Sequence, residues 1–255
     1  MSEVPKISNE ALKAATSVAS LLPQVAAAAA GASVLGLFAG WRDATAYFSS
    51  LGASWFMTAL TPSMLIQRAA GLMGLLVLFA FLSIYNLTHG AATAKGLRKY
   101  SILLVVAATV LFIVPTLAER WVGKQVVYYC SVAGAFASAI SAGLTIGEVV
   151  ARLVDDELAW GGYHVWLLYL AVSFGLMQAP DRMGYARAQV DGDQKTSSLP
   201  KVEVVSGAPE KAWRLVMIAG NQFLLVSLGE TPHSHTFRVV DANAISEIRS
   251  SLDRP

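Results

Sequence analysis

The sequence predicts a polytopic α-helical membrane protein, with about four to five transmembrane helices and an interfacial or re-entrant segment, ending in a small C-terminal β-rich domain of the SH3-like or Sm-like kind. Three observations predict it. Apolar residues make up 55% of the chain and charged ones only 14%, where a soluble domain carries roughly 25% charged residues. Nearly all of that deficit falls before Pro180, in five long apolar stretches. The remaining residues have ordinary charge content and short runs rich in Val, Ile and aromatic side chains.

The stretches cover residues 18–40, 69–87, 101–118, 126–147 and 163–179. Each falls near the 20 or so residues that a helix rising 1.5 Å per residue needs to cross the hydrocarbon, and the fifth is the shortest. The first is long enough to be read as a retained span rather than a cleaved leader, and Glu3, Lys6 and Glu10 before it do not form a basic n-region. Between the first two, residues 41–68 carry Tyr47, Phe48, Trp55 and Phe56 and are broken by Gly52 and Pro62. Aromatic side chains favour the headgroup layer, so this part reads as interfacial or re-entrant.

Helices in lipid associate through close approach of small residues. Gly143 and Gly147 form a GxxxG in the fourth stretch, continued backward by Ala139 and Ala135, and Gly36 and Gly40 repeat it in the first. These four glycines are the candidate helix-packing residues, and a homo-oligomer is expected alongside intramolecular packing. The fourth stretch, small around most of its circumference, is expected at the centre.

An ionisable group at membrane depth is costly unless it has a partner or faces a cavity. Glu148, just past the second GxxxG, is the foremost such group, and Asp155, Asp156 and Glu157 follow in the next loop. An acidic mouth attracts cations, so these four are the candidate pore or cation-binding residues. Gln24, Asn86, His89 and His164 lie nearer helix ends, where polar groups reach water. Orientation is finely balanced, because Lys95, Arg98 and Lys99 form one basic cluster and Arg182 and Arg187 another. The second, beside the last span, places the C-terminal domain on the cytoplasmic face of the cell membrane.

The chain divides by composition into a helical part (1–180), a polar linker (181–199) and the small β-rich domain (200–255). Gly220-Asn221 marks a hairpin between two strands; the segment from Ala244 reads as a last helical turn or a short strand. A domain this small is marginal alone and is expected to dock on the helices or on copies of itself, with sheet edges suited to a protein partner.

A net charge of +2 without any charge block argues against nucleic-acid binding. The single Cys130 offers no disulfide. His233 and His235 lack third and fourth ligands at suitable spacing, so no metal site is expected. No nucleotide-binding, zinc-protease or nucleophile-elbow motif is present, so no catalytic residue, cofactor or enzymatic activity is expected. The functional expectation is an oligomeric channel or small transport protein with a regulatory or assembly domain; the alternative is a membrane-anchored scaffold or signalling protein whose C-terminal domain binds a partner.

Overall fold

The computed structural model describes residues 7–154, 162–204, 212–229, 231 and 234–249. It is mostly helical. Helix α1 (Ile7–Leu51) leads through a 3₁₀ turn (Ser54–Ala59) to α2 (Pro62–Thr88), followed by α3 (Ala94–Leu117), the single turn α4 (Glu119–Val122) and α5 (Lys124–Val154). Helix α6 (Gly162–Val172), a π-helical segment (Ser173–Gln178) and α7 (Ala179–Asp191) then run on without a break. Five strands close the chain: β1 (Lys201–Val204), β2 (Trp213–Ala219), β3 (Gln222–Ser227), β4 (Thr236–Asp241) and β5 (Ile245–Arg249).

Local signals set the helix ends. Thr61 caps α2 by accepting from the Met64 N–H at 3.4 Å, with Pro62 at the first helical position. Thr93 caps α3 through the Gly96 N–H at 3.2 Å. Gly90 and Gly123 turn the chain with φ of 67° and 78°, a conformation that costs glycine nothing.

Among the described residues, Pro62–Thr88, Ala94–Leu117 and Lys124–Arg152 are long and apolar enough to cross a membrane. That is fewer than the four to five spans expected. The last apolar stretch does not form one regular helix, because α6 ends after 11 residues and passes through the π segment into the polar α7. Eleven of the 23 side chains of the first stretch fall outside the described residues. Helix α5 is central, with 56% of its apolar window buried against 22% for α2 and for α3.

Small residues set the helix contacts. Gly40 lies against the Leu65 backbone and Gly36 near Met73, so α1 and α2 are antiparallel. Gly143 meets Leu76 and Gly147 meets Ala80 and Ser83, so α2 and α5 run in the same sense. Ser101 of α3 bonds Ser141 of α5, and Phe112 covers Gly134, which makes that pair antiparallel. Gly175 packs on Ala142, and Lys124 pairs with Asp193, so the chain from α6 to α7 returns antiparallel to α5. All four glycines of the two GxxxG motifs therefore face α2.

The alternation sorts the basic clusters. Lys95, Arg98 and Lys99 sit at one end of the bundle, and Arg182 and Arg187 at the other, beside the sheet. Three traverses separate them after Tyr100.

Two sequence readings are corrected here. Residues 41–68 do not form an interfacial helix pair: α1 continues unbroken to Leu51, and Tyr47, Phe48 and Phe56 are buried. Their rings pack with Leu51, Ala188 and Leu224, so they fill the seam between helices and sheet instead of facing headgroups. The polar segment after Pro180 is helical as far as Asp191, because Gly184 and Ala188, one turn apart, give α7 a small-residue face against α1.

The sheet is antiparallel in the order β4-β3-β2-β1-β5. A two-residue turn at Gly220-Asn221, with Gly220 at φ 61°, closes the β2–β3 hairpin where Ala219 pairs Gln222. One side of the sheet carries Leu224, Val216 and Phe237 toward the helices, and the other packs Val202, Leu225 and Val240 with Trp213 and Ile245. The last segment is a strand: β5 pairs β1 from Lys201–Arg249 to Val204–Ile245.

Gly184 leaves no room for a side chain against the Asp43 backbone, whereas a Cβ at Gly71 meets nothing within 4 Å. Gly184→Leu is therefore expected to destabilise the folded chain by more than about 2 kcal/mol and Gly71→Leu hardly at all. Heat-induced loss of the monodisperse elution peak in detergent measures both.

Candidate functional site: buried ionic junctions at the two ends of the bundle

A partly desolvated charge in a helical bundle survives only with a partner and hydrogen bonds. The junction beside the sheet starts from Asp43 of α1, 2% exposed. Its Oδ2 accepts from Arg68 Nε of α2 at 2.7 Å and lies 3.6 Å from Arg187 Nη1 of α7. The Arg68 guanidinium stands over the rings of Tyr47 and Phe48, 4.8 and 5.4 Å from their centroids, a placement that adds cation–π attraction. Tyr47 donates its hydroxyl to Asp191 Oδ2 at 3.0 Å, and Ser198 donates to Oδ1 at 3.2 Å. Arg42 pairs with Asp181, and Lys124 with Asp193 at 3.0 Å.

These contacts tie α1, α2, α5 and α7 into one polar layer under the sheet. Met217 of β2 touches Arg68, and Trp55 meets Phe237 of β4 edge to face at 6.4 Å between centroids. Burial pushes the Asp191 carboxyl up from its ordinary value, against the hydrogen bonds from Tyr47 and Ser198 that pull it down. The Tyr47 phenol is pushed up, first by burial and then by Asp191. Nothing in the sequence pairs Asp43 with Arg68 and Arg187; the one visible signal is that all three charges sit among apolar and small residues.

At the opposite end Glu148, 4% exposed, accepts from Arg98 Nε of α3 at 2.6 Å, and Arg152 Nε lies 3.2 Å away one turn along α5. Glu148 thus joins α3 to α5 through Arg98, with Arg152 beside it. Next to it Ser101 shares 2.7 Å hydrogen bonds with Ser141 and with Thr145, and Ser83 donates to the Leu144 carbonyl at 3.0 Å. Asp155, Asp156 and Glu157 lie outside the described residues, so Glu148 is the one candidate cation-binding residue that the structure places.

His233 also lies outside the described residues. His235 Nδ1 accepts from the Gly229 N–H at 3.1 Å, which makes it a loop-pinning side chain; burial lowers its basicity. Among the described residues no group of three or more His, Cys, Asp or Glu is placed to hold a metal. The arrangement is that of a helical, membrane-type chain with a sheet locked on one end. No protein-family profile, curated protein or solved structure matches the chain.

Two predictions follow from the charges. Asp43→Asn leaves Arg68 and Arg187 facing a neutral amide and is expected to cost about 3 kcal/mol, as removal of one member of a buried pair does; thermal unfolding in detergent measures it. Because the folded chain holds the Asp191 proton more tightly than the unfolded chain, the stability from this group is fully present below the unfolded pKa. It is lost as pH rises through the raised folded value. Asp191→Asn should therefore gain on the native protein as pH rises above the ordinary carboxylate value of about 4, measured as the difference in unfolding midpoint between the two chains at each pH.

Proposed function

We propose that this chain is a membrane-anchored interaction protein: the helical bundle holds the small sheet at the bilayer surface, and the sheet takes a strand from a protein partner. The observation that carries this reading is the pairing of a locked sheet with two open edges. Among the described residues, the strand order leaves β4 and β5 each with a neighbour on one side only, while the aromatic seam and the Asp43 layer hold the sheet on the helices. An unpaired edge offers a row of free backbone donors and acceptors, which is how sheets recruit an added strand. Val239 on β4 and Ile248 on β5 stay 39% and 46% exposed and supply the apolar contacts that such a strand needs.

In this reading α1, α2, α3, α5 and the run from α6 to α7 all cross the bilayer, supported by their alternating direction. The small antiparallel sheet is of the SH3-like or Sm-like kind and faces the cytoplasm, the side favoured by Arg182 and Arg187 beside the last apolar stretch. A second copy of the chain is one partner that would fit.

A transport reading rests on a separate feature. Buried Ser138, Ser141 and Thr145 run along α5 to Glu148, a polar stripe inside an otherwise apolar bundle that would suit ion passage if Glu148 exchanged its arginine partners.

Single cysteines at Val239, Ile248 and, as a control, Lys95 at the far end of the bundle, treated with a short bifunctional crosslinker in native membranes, test the first reading. Adducts at either edge but not at Lys95 are expected; equal labelling at all three, or none, would sink it. Liposome flux tests the second, and ion movement through the native chain that falls in Glu148→Gln would displace the interaction reading.

A further inference from the structure

A groove of about 540 Å³ opens at the sheet end of the bundle between α1 and α7. Both helices present residues at i, i+3 and i+7 to it, the spacing of one helical face. Helix α1 contributes Arg42, Thr45 and Ser49. Its partner face carries Gln178, Asp181, Arg182 and Tyr185.

Three features indicate what it takes. Arg42 gives Nη2 to Asp181, but its Nε is buried with no hydrogen-bond partner among the described residues. One turn along, the buried Thr45 Oγ1 is also without a partner. Arg182 lines the same groove and makes no ion pair among the described residues. Two guanidinium groups against one carboxylate leave a net positive site, and guanidinium forks suit the oxygens of phosphate.

The surroundings locate the ligand. Thr116 of α3 closes one side of the groove, and Ile113 and Leu117 on the same stretch of α3 are exposed, as is Trp41 next to Arg42. A cationic groove at helix ends, bordered by outward apolar side chains and an exposed tryptophan, suits the layer where a bilayer places its headgroup phosphates.

We propose that this groove binds a phosphate-bearing anion, with Arg182 and Arg42 as the charge partners and Thr45, Gln178 and Tyr185 as hydrogen-bonding groups. A lipid headgroup and free phosphate share this chemistry. The site is independent of the sheet edges, and its occupation would brace α1 against α7 beneath the sheet.

Purified full-length chain in neutral detergent would be titrated with phosphatidic acid, phosphatidylcholine or inorganic phosphate and followed by thermal shift and native mass spectrometry. Phosphatidic acid is expected to stabilise the native chain and remain bound. Arg182→Gln, which breaks no ion pair of the fold, should weaken its apparent affinity roughly tenfold, with Arg182→Lys in between. Inorganic phosphate acting as well as the lipid would assign the site to a soluble anion; phosphatidic acid alone would assign it to lipid. Equal affinity in native chain and Arg182→Gln would overturn the proposal, as would an equal loss in Lys95→Gln/Lys99→Gln at the far end, which would mean bulk charge attraction.

Discussion

Asp43 is nearly without contact with water and sits among the small and aromatic residues of α1, so the helices around it have to bring their cations to it. Arg68 arrives from α2 and Arg187 from α7. That requirement fixes the rotation of three helices at once, because a turn of any one by a single residue would carry its charge out of reach. Close backbone contact is the other half of the constraint: Gly40 lets α2 approach α1, and Gly184 lets α7 approach the Asp43 backbone. With these distances set, the rings of Tyr47, Phe48 and Phe56 form the apolar floor on which Leu224 and its neighbours rest. The orientation of the sheet follows from the ionic layer beneath it.

The far end repeats the principle with fewer parts. Glu148 accepts from Arg98 and has Arg152 as a second charged neighbour, while Ser101, Ser141 and Thr145 share hydrogen bonds with one another. Removing either partner of such a group leaves a desolvated charge, whereas apolar packing of the same shape costs little. Both junctions therefore specify which helices meet and in which register more than they add net stability. Read alone, an acid inside an apolar helix is a functional candidate; in space Glu148 also joins α3 to α5 through Arg98.

The sheet and the groove carry the chemistry that remains unspent. Among the described residues, the edge strands have backbone groups paired on one side only, and the groove between α1 and α7 is bordered by polar atoms without a hydrogen-bond partner. Both features lie at the same end of the bundle, so a partner strand and an anion would act on adjacent parts of one layer. Arg42 belongs both to that groove and to the ionic layer through Asp181, which gives the two a shared residue.

Hydropathy and small-residue spacing sufficed for three of the apolar helices, the central place of α5 and a C-terminal sheet with a hairpin at Gly220-Asn221. These are local properties, set by the length needed to cross hydrocarbon, by the volume of one side chain and by the backbone freedom of glycine. The course of residues 41–68, the helix α7 and the partners of Glu148 and Asp43 were not legible. Each depends on residues far apart in the chain: Tyr47 and Asp191 are 144 positions apart, and Arg98 and Glu148 are 50. An aromatic run looks the same whether it meets headgroups or a sheet, and a carboxylate looks the same whether it meets water or two arginines. Only the folded chain supplies the neighbour, and the low dielectric around that neighbour decides what the group does.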